Sequence, residues 1–160
     1  MSVNKYHPHL FVLPEDDANR QLANGFLLDQ CLSAGKIQVL EEAGGWLQVL
    51  ERFCSDHVGG MERYPERRMA LLIDFDGKND RLEAAKKKIP GHLIDRVFIL
   101  GALTEPEKLK RDLGSFETVG LRMAEDCREN TSKTWGHELL SHNAGELARI
   151  KNSVREWLFL

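Results

Sequence analysis

LLIDFDG, residues 71–77, decides the fold class: three apolar residues run into two aspartates one residue apart, and a glycine follows. A continuous apolar run of this kind is typical of a strand that is buried on both faces, as in a parallel sheet. Asp74 and Asp76 stand at the carboxyl end of this strand. Alternation would put both on one side and turn Phe75 into the core. The stretch therefore predicts a buried strand with a carboxylate pair beyond its tip.

The segments around this strand repeat a strand followed by a helix. Apolar runs at 9–14, 37–40 and 95–103 predict three further strands, and helical patterns separate successive strands. The segment 58–68 is polar and contains two glycines and Pro65, so it predicts a loop. This alternation predicts an α/β fold: a Rossmann-like parallel sheet of about four strands with helices on both faces.

The chain from residue 104 onward carries no strand pattern and reads as helices. We therefore expect one domain, 1–160, with an α/β core over 9–103 and a helical C-terminal extension over 104–160. Hydrophobic residues at 42% and charged residues at 29% are globular values. The sequence has no apolar run of membrane-spanning length and no signal-peptide pattern, so we expect a cytoplasmic protein without a membrane partner.

Acidic residues also follow the first predicted strand. Glu15, Asp16 and Asp17 come directly after it. If the first and third strands are neighbours, these groups and the aspartate pair meet at one edge of the sheet, where open α/β sheets bind ligands. Clustered carboxylates repel one another unless a cation lies among them. Hard oxygen ligands suit Mg²⁺ or Mn²⁺, so we expect a metal site there, formed by Glu15, Asp16, Asp17, Asp74 and Asp76.

Four segments together resemble the Toprim domain of topoisomerases, primases and overcoming-lysogenization-defect nucleases: FVLPEDD (11–17), VLEEAGGWLQVL (39–50), LLIDFDG (71–77) and RVFILG (96–101). The resemblance implies Mg²⁺-dependent cleavage of DNA or RNA. It implies that Asp74 and Asp76 bind the metal. Glu15 would be the general base or a ligand, and Asp17 would be a ligand or a group that contacts the ligands. The family usually has glutamate and glycine at the first strand end, where this chain has Leu13 and Pro14.

Small stand-alone domains of this type are similar to nuclease partners of ATPases in bacterial defence systems. The resemblance thus implies nucleic acid as substrate, an ATPase or other protein as partner, and a possible homo-oligomer. The segments EDDANRQL (15–22) and EEAGGWLQVLERF (41–53) also resemble response-regulator receiver domains, in which Asp74 would accept phosphate. Gly101 stands where a receiver has serine or threonine. The alternative function is therefore a catalytically silent interaction module, of degenerate Toprim or receiver-like type, that works through a partner protein.

Histidine and basic residues complete the set of candidates. His142 is a candidate general acid or phosphate-binding group. His137 and His142 are five residues apart, which places them on different sides of a helix and disfavours a zinc site. The candidate nucleic-acid contacts are the only basic run and a basic pair before the third strand: Lys86, Lys87, Lys88, Arg67 and Arg68.

Overall fold

The computed structural model of the chain describes residues 3–78 and 80–160. Its sheet contains four strands: β1 (His9–Pro14), β2 (Ile37–Val39), β3 (Arg67–Leu72) and β4 (Val97–Leu100). All pairings are parallel, and the strand order is β2-β1-β3-β4. The predicted α/β class with a parallel sheet of about four strands is confirmed, and the first and third strands are neighbours.

Helices follow the strands along the chain. They are α1 (Asp17–Phe26), α2 (Trp46–Arg52), α3 (Val58–Arg63), α4 (Arg81–Lys86), α5 (Glu107–Leu113), α6 (Phe116–Glu129), α7 (Ala144–Ser153) and α8 (Arg155–Leu158). Side-chain oxygens cap two of them: Asp16 accepts from the Asn19 amide before α1, and Ser115 from the Thr118 amide before α6. No helix in the described part of the chain is long and apolar enough to cross a membrane.

The predicted loop at 58–68 is wrong. A π-helical turn, Phe53–His57, connects α2 to α3, and β3 already begins at Arg67. Met61 is fully buried, so packing holds this segment in a helix despite its two glycines. A Cβ atom on Gly60 would lie 2.5 Å from Nη1 of Arg67, so a glycine at this position of α3 leaves room for the Arg67 side chain.

The sheet has a hydrophobic core on each face. One core contains Val49 and Met61, from α2 and α3, with Leu71 of β3 and Ala85 of α4. The other core joins the sheet to α1, α5, α6, α7 and α8. The C-terminal segment is helical, as predicted, and its helices form most of the second layer against the sheet.

Helices α1 and α6 cross in backbone contact. A Cβ on Gly25 would lie 2.1 Å from the carbonyl oxygen of Glu117, and one on Gly120 would lie 1.9 Å from that of Leu22. Only glycine allows this approach, because real Cβ contacts are never so short. The crossing fixes α1, whose first turn begins at the carboxyl end of β1.

Candidate functional site

The chain leaves β3 in an extended form and then turns sharply. The Ile73 and Phe75 amides donate to the carbonyls of Leu100 and Ala102, at 2.9 and 3.0 Å. Phe75 is only 2% exposed, which confirms that it points into the core. Asp76 and Gly77 then take positive φ angles of 50° and 70°. The turn, and not strand alternation, therefore sets the position of Asp76.

Glu15 lies at the edge formed by β1 and β3. Its Oε2 accepts a hydrogen bond of 2.5 Å from the Asp74 amide. Burial raises the pKa of Glu15 first, and Asp16 and Asp76 raise it further, while the bond from the Asp74 amide and the charge of Arg81 oppose this. The Glu15 carboxylate thus reaches the aspartates that follow β3, as a catalytic role requires.

Asn19 joins the carboxylates of the two strand ends. Its side-chain amide donates to Oδ1 of Asp16 at 3.0 Å and to Oδ1 of Asp74 at 3.3 Å. Asn19 is 1% exposed. Because one NH₂ group contacts both carboxylates, these lie within a few ångströms of each other. The sequence analysis missed Asn19; its position three residues after the helix cap was the only signal.

Asp74 carries the largest electrostatic perturbation at this edge. Burial first, and then the charges of Asp16 and Glu15, together raise the pKa of Asp74 to about 7, against a lowering by the Asn19 hydrogen bond. The cause is partial desolvation beside two like charges. We name the group formed by Glu15, Asp16, Asn19 and Asp74 the acidic edge.

Arg81 holds the turn that follows the acidic edge, and the sequence analysis did not identify it. Its Nη1 donates to the backbone carbonyl of Asp74 at 2.7 Å and to Oδ2 of Asp76 at 2.8 Å. The guanidinium lies 4.4 Å from the centroid of the Trp46 ring, and the side chain is 6% exposed. Arg81 therefore neutralises Asp76, and no carboxylate of the acidic edge forms an ion pair within residues 3–78 and 80–160.

Besides Asp76, two further predicted site residues lie outside the acidic edge. Asp17 is exposed on α1, and its carboxylate accepts from Gln21 one turn further along. His142 packs edge-on against Phe75, with ring centroids 4.8 Å apart. Both of its ring nitrogens are buried, and within the described ranges neither has a partner at hydrogen-bond geometry, although the backbone of Gly101 lies close enough to oppose the lowering of its pKa. Burial lowers the pKa of His142, so its ring is neutral at pH 7, which suits packing beneath the edge better than donating a proton.

The candidate nucleic-acid contacts are distributed over three places. Lys86 pairs with buried Glu146 of α7, Nζ to Oε1, at 3.1 Å, whereas Lys87 and Lys88 are exposed. Arg67 and Arg68 begin β3, so they lie at the opposite end of the strand from Asp74. The structure therefore does not bring this basic set to the acidic edge.

The residues of the disfavoured zinc interpretation have separate partners. Nε2 of His137 lies 3.0 Å from Oδ2 of Asp112, and Glu138 forms an ion pair with Lys108. His142 packs on Phe75, as described above. The three residues therefore do not share a centre.

The acidic edge fits a divalent cation that keeps most of its water ligands. Within residues 3–78 and 80–160, no three His, Cys, Asp or Glu side chains are placed to hold a metal ion. Mg²⁺, however, is usually held by one or two carboxylates, and waters and phosphate oxygens complete its shell. The Asp16 and Asp74 carboxylates, joined by Asn19, offer that pair. The donors therefore fit a hydrated Mg²⁺ or Mn²⁺ and do not fit a closed metal cage.

The position of the acidic edge in the sheet also favours ligand binding. The chain goes from β1 to β2 on one side, and β3 lies on the other side of β1. The strand order therefore reverses between β1 and β3, and open α/β sheets bind ligands at the carboxyl edge of such a switch point. An internal cavity of about 80 Å³ is lined by Asn19 and otherwise mostly by apolar residues, so it offers few groups to a phosphate.

Comparisons with protein-family models, with curated proteins and with solved structures found no match for this chain. The Toprim and receiver resemblances therefore stay predictions. The candidate site rests on its own geometry.

Proposed function

We propose that this chain is a Mg²⁺-dependent phosphodiesterase of the nuclease type, which acts on nucleic acid at the acidic edge. The observation that carries the proposal is the convergence of three carboxylates at the switch point, where burial and like charge raise the pKa of Asp74 to about 7. Perturbed carboxylates in such a place are more frequent at functional sites than in structural ion pairs.

The residues have separate roles in this proposal. Asp16 and Asp74 would hold the cation, and Asn19 orients both carboxylates through its two hydrogen bonds. A bound divalent cation would neutralise phosphate charge and lower the pKa of water. Glu15 is half-buried with a raised pKa, and a raised pKa brings a carboxylate closer to the range in which a general base works at neutral pH. Arg81 keeps the Asp76 turn in place and does not enter the cation site.

Calorimetry with Mg²⁺ and Mn²⁺ tests the proposal, together with incubation of plasmid DNA and single-stranded RNA. The variant is Asp74→Asn, which keeps the shape and removes the charge. Asp17→Asn is the matched control, because Asp17 lies one residue after the cap, is exposed and contacts Gln21. We expect metal binding and cleavage in the wild type and the control, and neither in Asp74→Asn. Wild-type protein that binds no metal at millimolar concentration would contradict the proposal.

One observation favours the alternative, a catalytically silent interaction module that works through a partner protein. Asp76 is already neutralised by Arg81, and Glu15 already accepts a backbone amide, so two of the predicted ligands have partners within the chain. An ATPase partner, self-association and a role in bacterial defence stay predictions from the Toprim resemblance. Unchanged stability on adding metal, together with absent cleavage, would favour the module.

A further inference from the structure

Arg67 is a buried cation that has no counter-ion among residues 3–78 and 80–160. Its side chain is 6% exposed, and the guanidinium lies 4.2 Å from the ring centroid of Phe11 and 4.9 Å from that of Tyr64. In the described ranges, no carboxylate lies within 4.0 Å of its nitrogens. Buried charges in proteins are usually paired, because an unpaired one is costly to desolvate.

The only side-chain hydrogen bond that Arg67 makes among the described residues does not supply negative charge. Its Nε donates to Nε2 of His9 at 2.9 Å, and Nδ1 of His9 lies 2.8 Å from the carbonyl of His7. This arrangement fits a neutral ring with its proton on Nδ1. Burial lowers the pKa of His9, and the charge of Arg67 lowers it further. The described chain therefore does not neutralise the guanidinium charge, which lies just beneath the surface.

Further cations and an exposed aromatic ring surround Arg67. Nζ of Lys5 and the guanidinium of Arg63 lie 5.5 and 5.6 Å from the centroid of the Tyr64 ring. Neither forms an ion pair with a carboxylate of the described chain. Tyr6 packs edge-on against Tyr64 at 5.8 Å and is 79% exposed. We name this group, Lys5, Tyr6, Arg63, Tyr64 and Arg67, the basic aromatic end.

The acidic residues nearest in sequence have other partners. Glu62 lies 3.1 Å from His92, Oε2 to Nε2, and Glu66 pairs with Arg68 at 3.6 Å. The local excess of positive charge contrasts with the net charge of −3 of the whole chain. An anion that carries a flat ring matches this end in both charge and shape.

We propose that the basic aromatic end binds single-stranded nucleic acid, with a phosphate held by exposed Lys5 and Arg63 above the buried charge of Arg67 and a base stacked on Tyr6. Sequence-tolerant binding of single strands combines these two contacts, and bases within a duplex are not free to stack on a side chain. In choosing nucleic acid as the ligand, the inference rests on the proposed function. Its residues are separate from the acidic edge, because they lie at the opposite end of β3, roughly 20 Å away.

The test measures anisotropy of labelled oligothymidine and oligouridine of about 12 nucleotides, a length within the usual site size of one domain. EDTA is present, so no metal-dependent step contributes. The variants are Tyr6→Ala and the double variant Lys5→Ala/Arg63→Ala. The control is Arg122→Ala/Lys133→Ala, which removes the same charge from exposed residues of another region. All of these side chains are exposed, so the variants are expected to fold.

We expect Tyr6→Ala to raise the Kd about tenfold, since one stacked base contributes this much. The salt dependence of its binding should not change. Lys5→Ala/Arg63→Ala should lower the slope of log K against log salt by about 1.4, since each phosphate contact contributes about 0.7 on single strands. The control should change the Kd by less than about twofold, because electrostatic effects of distant exposed charges are screened.

Three further ligands separate the possible sources of binding: a duplex of the same length, thymidine monophosphate and inorganic phosphate. Weaker binding of all three than of the single strand supports the proposal. Equal binding of the duplex, phosphate binding as tight as the single strand, or equal loss in the control would overturn it. If the wild-type protein binds the single strand in EDTA but does not cleave it with Mg²⁺, the result would count against the proposed function alone. Lost binding with intact cleavage would count against this inference alone.

Discussion

The two ends of the β1–β3 strand pair differ in sign and in how their charges are compensated. At the carboxyl end, Asp16 and Asp74 share the Asn19 amide, Glu15 accepts from the Asp74 backbone, and Asp74 responds by an increase of its pKa. At the amino end, Arg67 is buried against aromatic rings beside a neutral His9. A carboxylate can take up a proton to relieve repulsion, but a guanidinium cannot lose one near neutral pH.

This difference has a functional consequence. The acidic edge can lose its excess charge to protons or to a cation, so its state depends on pH and on metal. The basic aromatic end can be neutralised only by an anion. The two ends therefore call for different perturbations, and the predictions below are arranged from the largest expected effect to the smallest.

The largest effect is expected for catalysis at the acidic edge. Asp74→Asn removes one of the two carboxylates proposed to hold the cation, so we expect the rate of metal-dependent cleavage to fall by about 10³-fold, the loss typical for a group that stabilises charge in the transition state. Asp17→Asn, one residue after the α1 cap, should change the rate by less than about threefold, as is usual for an exposed group outside the site. Equal losses in the two variants would mean that Asp17 also belongs to the metal site, which would contradict the proposed ligand pair.

The second effect is a pH dependence of stability. The pKa of Asp74 is about 7 in the folded chain against 3.8 ordinarily, so the folded chain binds this proton more tightly than the unfolded chain. The free energy of unfolding should therefore fall as the pH rises from about 4 to about 7. Between about pH 5 and about pH 8, the free energy of unfolding measured with urea should decrease by about 1–3 kcal/mol more in the wild type than in Asp74→Asn. Parallel pH profiles would refute a raised pKa.

The third effect concerns Asn19, the shared donor. Asn19→Leu keeps most of the volume and removes the amide, so Asp16 and Asp74 each lose a hydrogen bond. We expect the free energy of unfolding at about pH 8 to fall by about 1–2 kcal/mol, as for partly buried acceptors left without donors. At about pH 5, where Asp74 is protonated, the loss should be smaller. A loss that does not depend on pH would indicate a packing role for Asn19 alone.

The smallest effect is expected at the basic aromatic end. Arg67→Met should lower the free energy of unfolding by less than about 1 kcal/mol, because the lost hydrogen bond to buried His9 is offset by removal of a buried charge that has no carboxylate partner among the described residues. Arg96→Met is the comparison, since Arg96 donates to the carbonyls of Met61, Tyr64 and Arg67 at 2.8, 3.2 and 2.9 Å. That variant should cost about 1–3 kcal/mol. If Arg67→Met were the more costly of the two, Arg67 would have a counter-ion that the described chain does not show.

The sequence was sufficient to predict the sheet and the meeting of carboxylates at the carboxyl ends of β1 and β3. Apolar runs with strand periodicity and the acidic residues that follow them predicted the four strands and the meeting of Glu15 with Asp74, because parallel strands end at a common edge. It was not sufficient for Asn19 and Arg81, which reach the site through the crossing of α1 and the start of α4. Polar side chains on helices are common, and only tertiary contacts distinguish these two.

The prediction failed where packing overrides local signals. The glycines at 59 and 60 indicated a loop, but buried Met61 and the close approach of Arg67 keep α3 helical. Arg67 was therefore placed in a loop, and its burial against Phe11 and Tyr64 was not foreseen. The basic aromatic end joins residues from the N-terminus, α3 and β3, and no spacing in the sequence indicates that they meet.

The most direct test of the central claim is the carboxyl titration of Asp74 by ¹³C NMR, with and without Mg²⁺. We predict a pKa of about 7 for Asp74 without metal, because of burial and of the charges of Asp16 and Glu15. Millimolar Mg²⁺ should lower it by at least about one unit, because the cation competes with the proton for the same oxygens. A pKa near 3.8 that Mg²⁺ does not change would mean that the acidic edge is neither strained by like charge nor a cation site.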